Sequence, residues 1–216
     1  MASYPPHANM ECYHAQPLVF KPEFMPQLVL ASTSPYRREL LLRLQIPFVT
    51  VAPNVDESPL PGEPPARTAD RLAELKARAV ANEFPQALII GSDQVAYSGN
   101  ERFGKPQTRA NAFRQLQTMR GREIVFHTGL CLLNTQTGRL QRRVALNHVG
   151  FRELRDEEIE AYLDKEDALN CAGSARSEGL GISLLAYLRG DDPNALVGLP
   201  LIALCEMLRD EGVPLP

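Results

Sequence analysis

Apolar and polar positions alternate along this chain in blocks that predict strands and helices in turn. Residues 28–31 form a short apolar run that reads as a buried strand. Ser32, Thr33 and Ser34 follow at once, and Pro35 stands where a first helical residue would be, so a helix start is predicted there. Leu40, Leu41, Leu42 and Leu44 give that helix a broad apolar face, and it ends near residues 45–47. Residues 48–52 predict a second strand, and residues 53–65 a loop rich in proline and acid that contains Asp56 and Glu57. Residues 68–82 have helical periodicity, with Leu72, Ala79 and Val80 inside and Glu74 and Arg78 as an outer pair. Residues 87–91 predict a buried strand with Ser92-Asp93-Gln94 at its carboxyl end, followed by a turn or loop over 99–104. Thr108 caps a helix that runs to Arg120 and stops at Gly121. Residues 123–133 and 139–151 read as strands joined by a turn, and residues 156–164 as an acidic-start helix with Ile159, Tyr162 and Leu163 inside. Leu199-Pro200 opens a last helix whose face is Leu201, Leu204, Cys205 and Leu208.

Composition narrows the class of protein. The 216 residues are enough for one domain of ordinary core size. A net charge of -3 argues against a nucleic-acid or anionic-membrane partner, which wants a basic surface. No apolar run approaches the roughly 20 residues that cross a bilayer. Cys12, Cys131, Cys171 and Cys205 are scattered without metal-ligand or redox spacing, so reduced thiols in a cytoplasmic protein are expected. Residues 1–24 carry four prolines and no periodic pattern. They read as a disordered extension, or as a misassigned start with Met25 the true one, and residues 25–216 as one domain. His7, Cys12 and His14 offer metal-ligand chemistry, but on spacing alone the signal is weak.

The predicted helix start at Ser32–Pro35 is a candidate anion grip, because free N–H groups and the dipole attract negative charge there. Arg37 and Arg38 lie in the same first turn, where cations oppose the dipole and a bound anion would compensate them. Lys76 falls on the apolar side of its helix. It reads either as a snorkelling lysine or as one aimed into a phosphate cleft. Asp93 interrupts an apolar run and reads either as a turn-capping aspartate or as a ligand-facing group at a strand end. His127, inside a strand, reads as a satisfied core or edge histidine. The glycine-rich run from Cys171 to Gly181 would let backbone approach a ligand closely, a weak signal alone.

Taken in order, Ala31-Ser32-Thr33-Ser34-Pro35-Tyr36-Arg37-Arg38-Glu39-Leu40-Leu41, Asp56-Glu57, Lys76, Gly91-Ser92-Asp93-Gln94, Gly104-Lys105-Pro106, Thr128-Gly129, Ala172-Gly173-Ser174 and Gly198-Leu199-Pro200-Leu201 resemble the Maf family of nucleoside triphosphate pyrophosphatases. Tyr36, Gln94 and Glu178 stand at positions where the branches of that family differ. The last two match the branch associated with 7-methyl-GTP rather than the one that hydrolyses dTTP and UTP. Tyr36 departs from the tryptophan expected in that branch.

The resemblance implies an α/β fold, an elongated mixed β-sheet flanked by helices, with two lobes around a central cleft. It implies a hydrolase acting on phosphorus-containing anhydrides, which cleaves between the α- and β-phosphates and keeps modified nucleotides out of nucleic acids. It also implies a divalent cation (Mg²⁺, Mn²⁺ or Co²⁺) and a homodimer. Asp93 is then the expected general base. Ser32, Ser34, Arg37, Lys76 and Lys105 are the expected phosphate ligands, and Glu57 and Asp93 the expected metal contacts. Arg38 drops to second rank. An aromatic at Tyr36 suits a base made cationic by N7-methylation, and a carboxylate at Glu178 suits the adjacent N1–H and 2-amino donors of guanine. Rival readings are a dTTP/UTP or other modified-nucleotide pyrophosphatase of the same family, and a non-enzymatic regulator of septum formation or cell division.

Overall fold

The computed structural model describes residues 26–216. The readings of residues 1–24, and of His7, Cys12 and His14 as ligands, lie outside the described residues. Along the chain come β1 (Gln27–Ala31), α1 (Pro35–Leu42), β2 (Phe48–Val51), α2 (Pro65–Ala79), β3 (Ala87–Ser98), β4 (Glu101–Phe103), α3 (Arg109–Met119), β5 (Glu123–Asn134), β6 (Leu140–Phe151), α4 (Asp156–Leu163), β7 (Leu185–Arg189), α5 (Pro193–Val197) and α6 (Leu201–Asp210). The strands form one seven-stranded sheet in the order β2-β1-β3-β5-β6-β7, with β4 also paired to β3. β1 runs parallel to β2 and β3, and the remaining pairs are antiparallel. This is the mixed, helix-flanked α/β sheet expected. Among the described residues no helix is long and apolar enough to cross a membrane.

Strand parity places the core. Successive β3 side chains point to opposite faces. Leu88 and Ile90 join β1, α1 and α6 in one apolar cluster, whereas Ile89 joins Ala73 and Ala77 of α2 on the other face. Farther along β3, Ala96 belongs to a third cluster with Phe103, Leu116 of α3 and Ile159 and Tyr162 of α4. The third cluster lies on the same face of β3 as the first. Polar Ser92 and Gln94 stand between them, and the two lobes part at this polar step.

One boundary differs from the sequence reading in a way that matters. β3 does not end at Gly91; it continues to Ser98, so Asp93 is a mid-strand residue. What does end is its neighbour. β1 pairs with β3 only as far as Ile90, and β4 takes up pairing on the same side only at Ala96. Gly91–Val95 therefore has a strand on one side, β5, and an open edge on the other. The cleft is this gap in the sheet.

Smaller departures have local causes. Residues 99–104 are a hairpin turn followed by β4, because Phe103 is buried in the third cluster and draws its flanking residues into pairing. α2 begins at Pro65, the favoured first-turn residue; Leu72 and Val80 are buried as expected, with Ala73 and Ala77 beside them, but Ala79 is exposed. Leu42 is 48% exposed at the end of α1, and in α6 Met207 rather than Cys205 is fully packed. The short helix α5, capped by Asp192, follows the fold rather than any periodicity of its own.

Candidate active site

The hydroxyl run after β1 forms the helix start foreseen for it. Ser34 is the N-cap of α1, and its Oγ accepts from the Arg37 backbone N–H at 3.4 Å. Ser32 Oγ accepts from the Ser34 N–H at 3.1 Å and from Arg37 Nη1 at 3.3 Å. Both hydroxyl oxygens are thus engaged as acceptors, while their protons are left to donate. The Arg37 guanidinium turns inward and donates through Nε to the carbonyl of Gly198 at 2.8 Å. Burial pulls the Arg37 pKa down, against the opposing pull of Asp93 and Glu57. Arg38 is exposed, away from this arrangement.

Asp93, on the α2 face of β3, meets Lys76. The ammonium lies 2.6 Å from Asp93 Oδ1 and 2.9 Å from Glu57 Oε1, and Lys76 is 4% exposed. Lys76 is therefore a buried charge with paired carboxylates, not a snorkelling side chain. Asp93 Oδ2 makes no hydrogen bond among the described residues. The pairing requires α2 to lie almost on the sheet, and two glycines allow this. A Cβ on Gly91 would run into the Ala73 carbonyl, and one on Gly129 into the Ala69 carbonyl. Glu57 arrives on the loop before α2, which Arg71 ties down. Arg71 Nη2 donates to Ser58 O at 3.1 Å, and its guanidinium pairs with Glu63 at 2.7 Å. Burial acts to raise the Glu57 carboxyl, but Lys76, with Lys105 and Arg37, outweighs it and holds the group below the usual carboxylate range.

Ser92 and Gln94, on the opposite face, fasten the segment around α5. Ser92 Oγ lies 2.8 Å from Gly129 O and 2.9 Å from Gly198 O, within reach of either with its single proton. Gln94 Nε2 faces Thr128 Oγ1 and the carbonyls of Ala195 and Leu196 at 2.9–3.0 Å. Its amide nitrogen is thus committed to the protein, and its amide oxygen makes no hydrogen bond among the described residues. Thr128, fully buried, donates to Ala195 O at 2.8 Å.

Of these groups Ser32, Ser34, Arg37, Glu57, Lys76, Asp93 and Gln94 open onto one cavity of about 420 Å³, whereas Ser92 and Thr128 do not line it. Every residue expected at the site lines it: Ser32, Ser34, Tyr36, Arg37, Glu57, Lys76, Asp93, Gln94, Lys105 and Glu178. Lys105 is exposed and makes no ion pair among the described residues. Arg102 lines the cavity as well and is likewise unpaired there. Sequence reading passed over it, although the alternation of β4 sets it opposite buried Phe103. Tyr36 and Glu178 line the same cavity with Cys171 and Ser177.

Two expectations change. The glycines of the run 171–181 make room for protein rather than ligand. A Cβ on Gly173 would crowd the Phe126 ring, and one on Gly181 the Arg176 backbone. His127 is half-buried with a buried Nδ1 that has no hydrogen-bond partner among the described residues, so it is not the satisfied histidine expected; burial pulls its pKa down.

The donor set suits a hard divalent cation shared with a substrate. Glu57 and Asp93 both reach the Lys76 ammonium, so two carboxylates converge beside the cavity. A cation of the Mg²⁺ type commonly takes one or two carboxylates and completes its shell with phosphate oxygens and water. Among the described residues no cluster of three or more His, Cys, Asp or Glu could hold a metal without such help.

An open α/β sheet whose cleft gathers cations, hydroxyls and two carboxylates has the makings of a phosphate-ester or anhydride hydrolase. Residues 27–211 match the family model described as Maf-like protein, and the chain belongs to that family. It is 59% identical over 189 residues to a 7-methyl-GTP pyrophosphatase of Methylobacillus flagellatus, which covers 88% of this chain and 98% of the relative. It is 60% identical over 190 residues to one of Aromatoleum aromaticum, with the same coverage. A third, of Thiobacillus denitrificans, is 57% identical over 188 residues, or 87% of this chain and 94% of the relative.

Proposed function

We propose that this chain hydrolyses 7-methyl-GTP between the α- and β-phosphates, giving 7-methyl-GMP and pyrophosphate. The observation that carries the reading is that one cavity is lined by Arg37, Lys76, Asp93 and Glu57 and also by Tyr36 and Glu178. In this reading the first four form an ionic end and the last two a base-reading end. The names of the relatives support the substrate.

Asp93 is the general base in this reading. Its Oδ1 is held by Lys76, and Oδ2 takes a proton from the attacking water as the new oxygen–phosphorus bond forms at the α-phosphate. The bond to the departing pyrophosphate then breaks, and Arg37 and Lys105 neutralise the charge that leaves. Ser32 and Ser34 donate their hydroxyl protons to phosphate oxygens. Glu57 and Asp93 would hold a divalent cation (Mg²⁺, Mn²⁺ or Co²⁺), which when bound neutralises phosphate charge. At the other end the Tyr36 ring offers its face to the cationic base, and Glu178 accepts from N1–H and the 2-amino group. Gln94 keeps the α5 carbonyls in place beside the base.

Pyrophosphate release measured on 7-methyl-GTP, GTP, dTTP and UTP with Mg²⁺ or Mn²⁺ tests this. The highest kcat/KM is expected on 7-methyl-GTP. A preference for dTTP or UTP would replace the substrate, and a flat signal throughout would remove the enzymatic reading.

A further inference from the structure

The base-reading end carries a cation that no part of the proposed reaction uses. Arg176 sits with its guanidinium carbon 5.5 Å from the centroid of the Tyr36 ring. The same guanidinium pairs with Glu178 through Nε at 3.2 Å and with Glu166 through Nη1 at 3.0 Å. Arg176 is thus in contact with both groups assigned to the base, and with a second acid, Glu166, that keeps it there. It does not line the cavity, whereas Tyr36 and Glu178 do. A second cavity of about 350 Å³ also touches Tyr36, Ser177 and Glu178, and Arg176 does not line that one either. The guanidinium touches both base readers without lining either cavity.

Its position is built. The Arg176 N–H donates to the Tyr162 hydroxyl at 3.0 Å. Glu166 is 12% exposed and accepts the Leu180 N–H at 2.8 Å, so the acid anchoring Arg176 is itself fixed. A side chain at Gly181 would collide with the Arg176 backbone, and one at Gly179 with the Glu166 carboxylate. The glycine-rich run is therefore wound tightly around this arginine. Glu166 and Glu178 together hold the guanidinium firmly in its charged form.

We infer that Arg176 is a specificity-determining residue that sets, from outside the cavity lining, how strongly the base site prefers a cationic, N7-methylated guanine over a neutral one. The inference rests on the reading of Tyr36 and Glu178 as the base site. A cation over an aromatic ring draws on the same negative quadrupole that a cationic base would use. A cation paired with a carboxylate also weakens the field that the carboxylate presents to a positive ring. Both effects act more strongly against the charged, methylated base than against a neutral one. Arg176 therefore moderates the preference while holding Glu178 in place.

The test is the ratio of kcat/KM for 7-methyl-GTP to that for GTP, measured for the wild type, Arg176→Gln and Arg176→Lys. The ratio is expected to rise about two- to fivefold in Arg176→Gln, the span of an exposed cation–π contact. It should stay near the wild-type value in Arg176→Lys, which keeps the charge. A purely structural arginine would lower both rates together and leave the ratio alone, and that result overturns the inference. So does a rise of equal size in both variants. If Arg176→Gln does not fold, the double variant Glu166→Gln/Arg176→Gln, which removes the acid with its partner, carries the same expectation. A wild-type ratio near one overturns the base-site reading and the inference with it. A clear wild-type preference with an unchanged ratio in the variants overturns the inference alone.

Discussion

Lys76 and Asp93 show how a single residue in the wrong-looking place marks a site. An ammonium at 4% exposure is tolerated only because two carboxylates meet it, at 2.6 and 2.9 Å. Removing one member of a buried pair leaves the other charge without compensation. Lys76→Met should therefore lower stability by about 3–5 kcal/mol, read from urea denaturation. Asp93→Asn is expected to behave differently. Its amide oxygen can still accept from Lys76, so the fold should be kept, while turnover falls by about 10²–10⁴. Near-normal pyrophosphate release by that variant would remove Asp93 as the base. Both residues were legible in the sequence because each breaks an apolar pattern, and a broken pattern is a local signal. Arg176 was not. It sits in no periodic segment, and its partners come from α1 and from the segment after α4.

The elements hold these residues in register. α2 carries Lys76, and it approaches β3 and β5 through the bare backbones of Gly91 and Gly129. Gly129→Ala would set a methyl against the Ala69 carbonyl and push the helix outward. A stability loss of about 1–3 kcal/mol is expected on thermal or urea unfolding, as for other overpacked contacts. Because the shift also parts Lys76 from Asp93, kcat should fall more than KM rises. The loop that brings Glu57 to the cleft is tied by Glu63 and Arg71. The Glu63 carboxyl is held down to about 2 mainly by Arg71, with the Leu60 N–H and the Thr68 hydroxyl helping and desolvation opposing. A depressed folded-state pKa adds stability above the unfolded value of about 4.5, and that stability is lost as pH falls toward about 2. The difference in Tm between wild type and Glu63→Gln should thus be full at neutral pH and shrink as pH drops from about 4.5 toward about 2. A gap that does not change with pH would remove the ion pair as its source. Helices α1, α3 and α4 were readable from caps and periodicity. β4 and α5 were not, because their lengths of 3 and 5 residues are too short for any period to show.

At the scale of the molecule the cleft is a gap between strands, with the helix start of α1, the α2 lysine, the β4 hairpin and the glycine-rich run around it. The carboxylates that would hold a metal number two rather than three or more among the described residues. The cation in the proposed reaction is therefore expected to bind chiefly with the nucleotide. EDTA should abolish pyrophosphate release and Mn²⁺ or Mg²⁺ restore it. Adding the metal without nucleotide should leave Tm nearly unchanged, since a ligand stabilises only in proportion to its occupancy of the folded state. A large Tm rise with metal alone would point to a preformed metal site. The sequence by itself determined the α/β class, most strands and helices, and the residues of the ionic end. The elements and the signals at Ser32, Ser34, Arg37, Lys76 and Asp93 rest on local pattern: apolar periods, hydroxyl caps, and charges set into apolar runs; Glu57 and Lys105 rest on the family resemblance. Only the tertiary structure decided that Asp93 lies mid-strand at an open edge, that Ser92 and Gln94 face away from it to clasp α5, and that the glycine-rich run encloses Arg176. Each of these depends on which strand ends beside which and on which face meets which helix, and such contacts join residues far apart in the chain that no local pattern records.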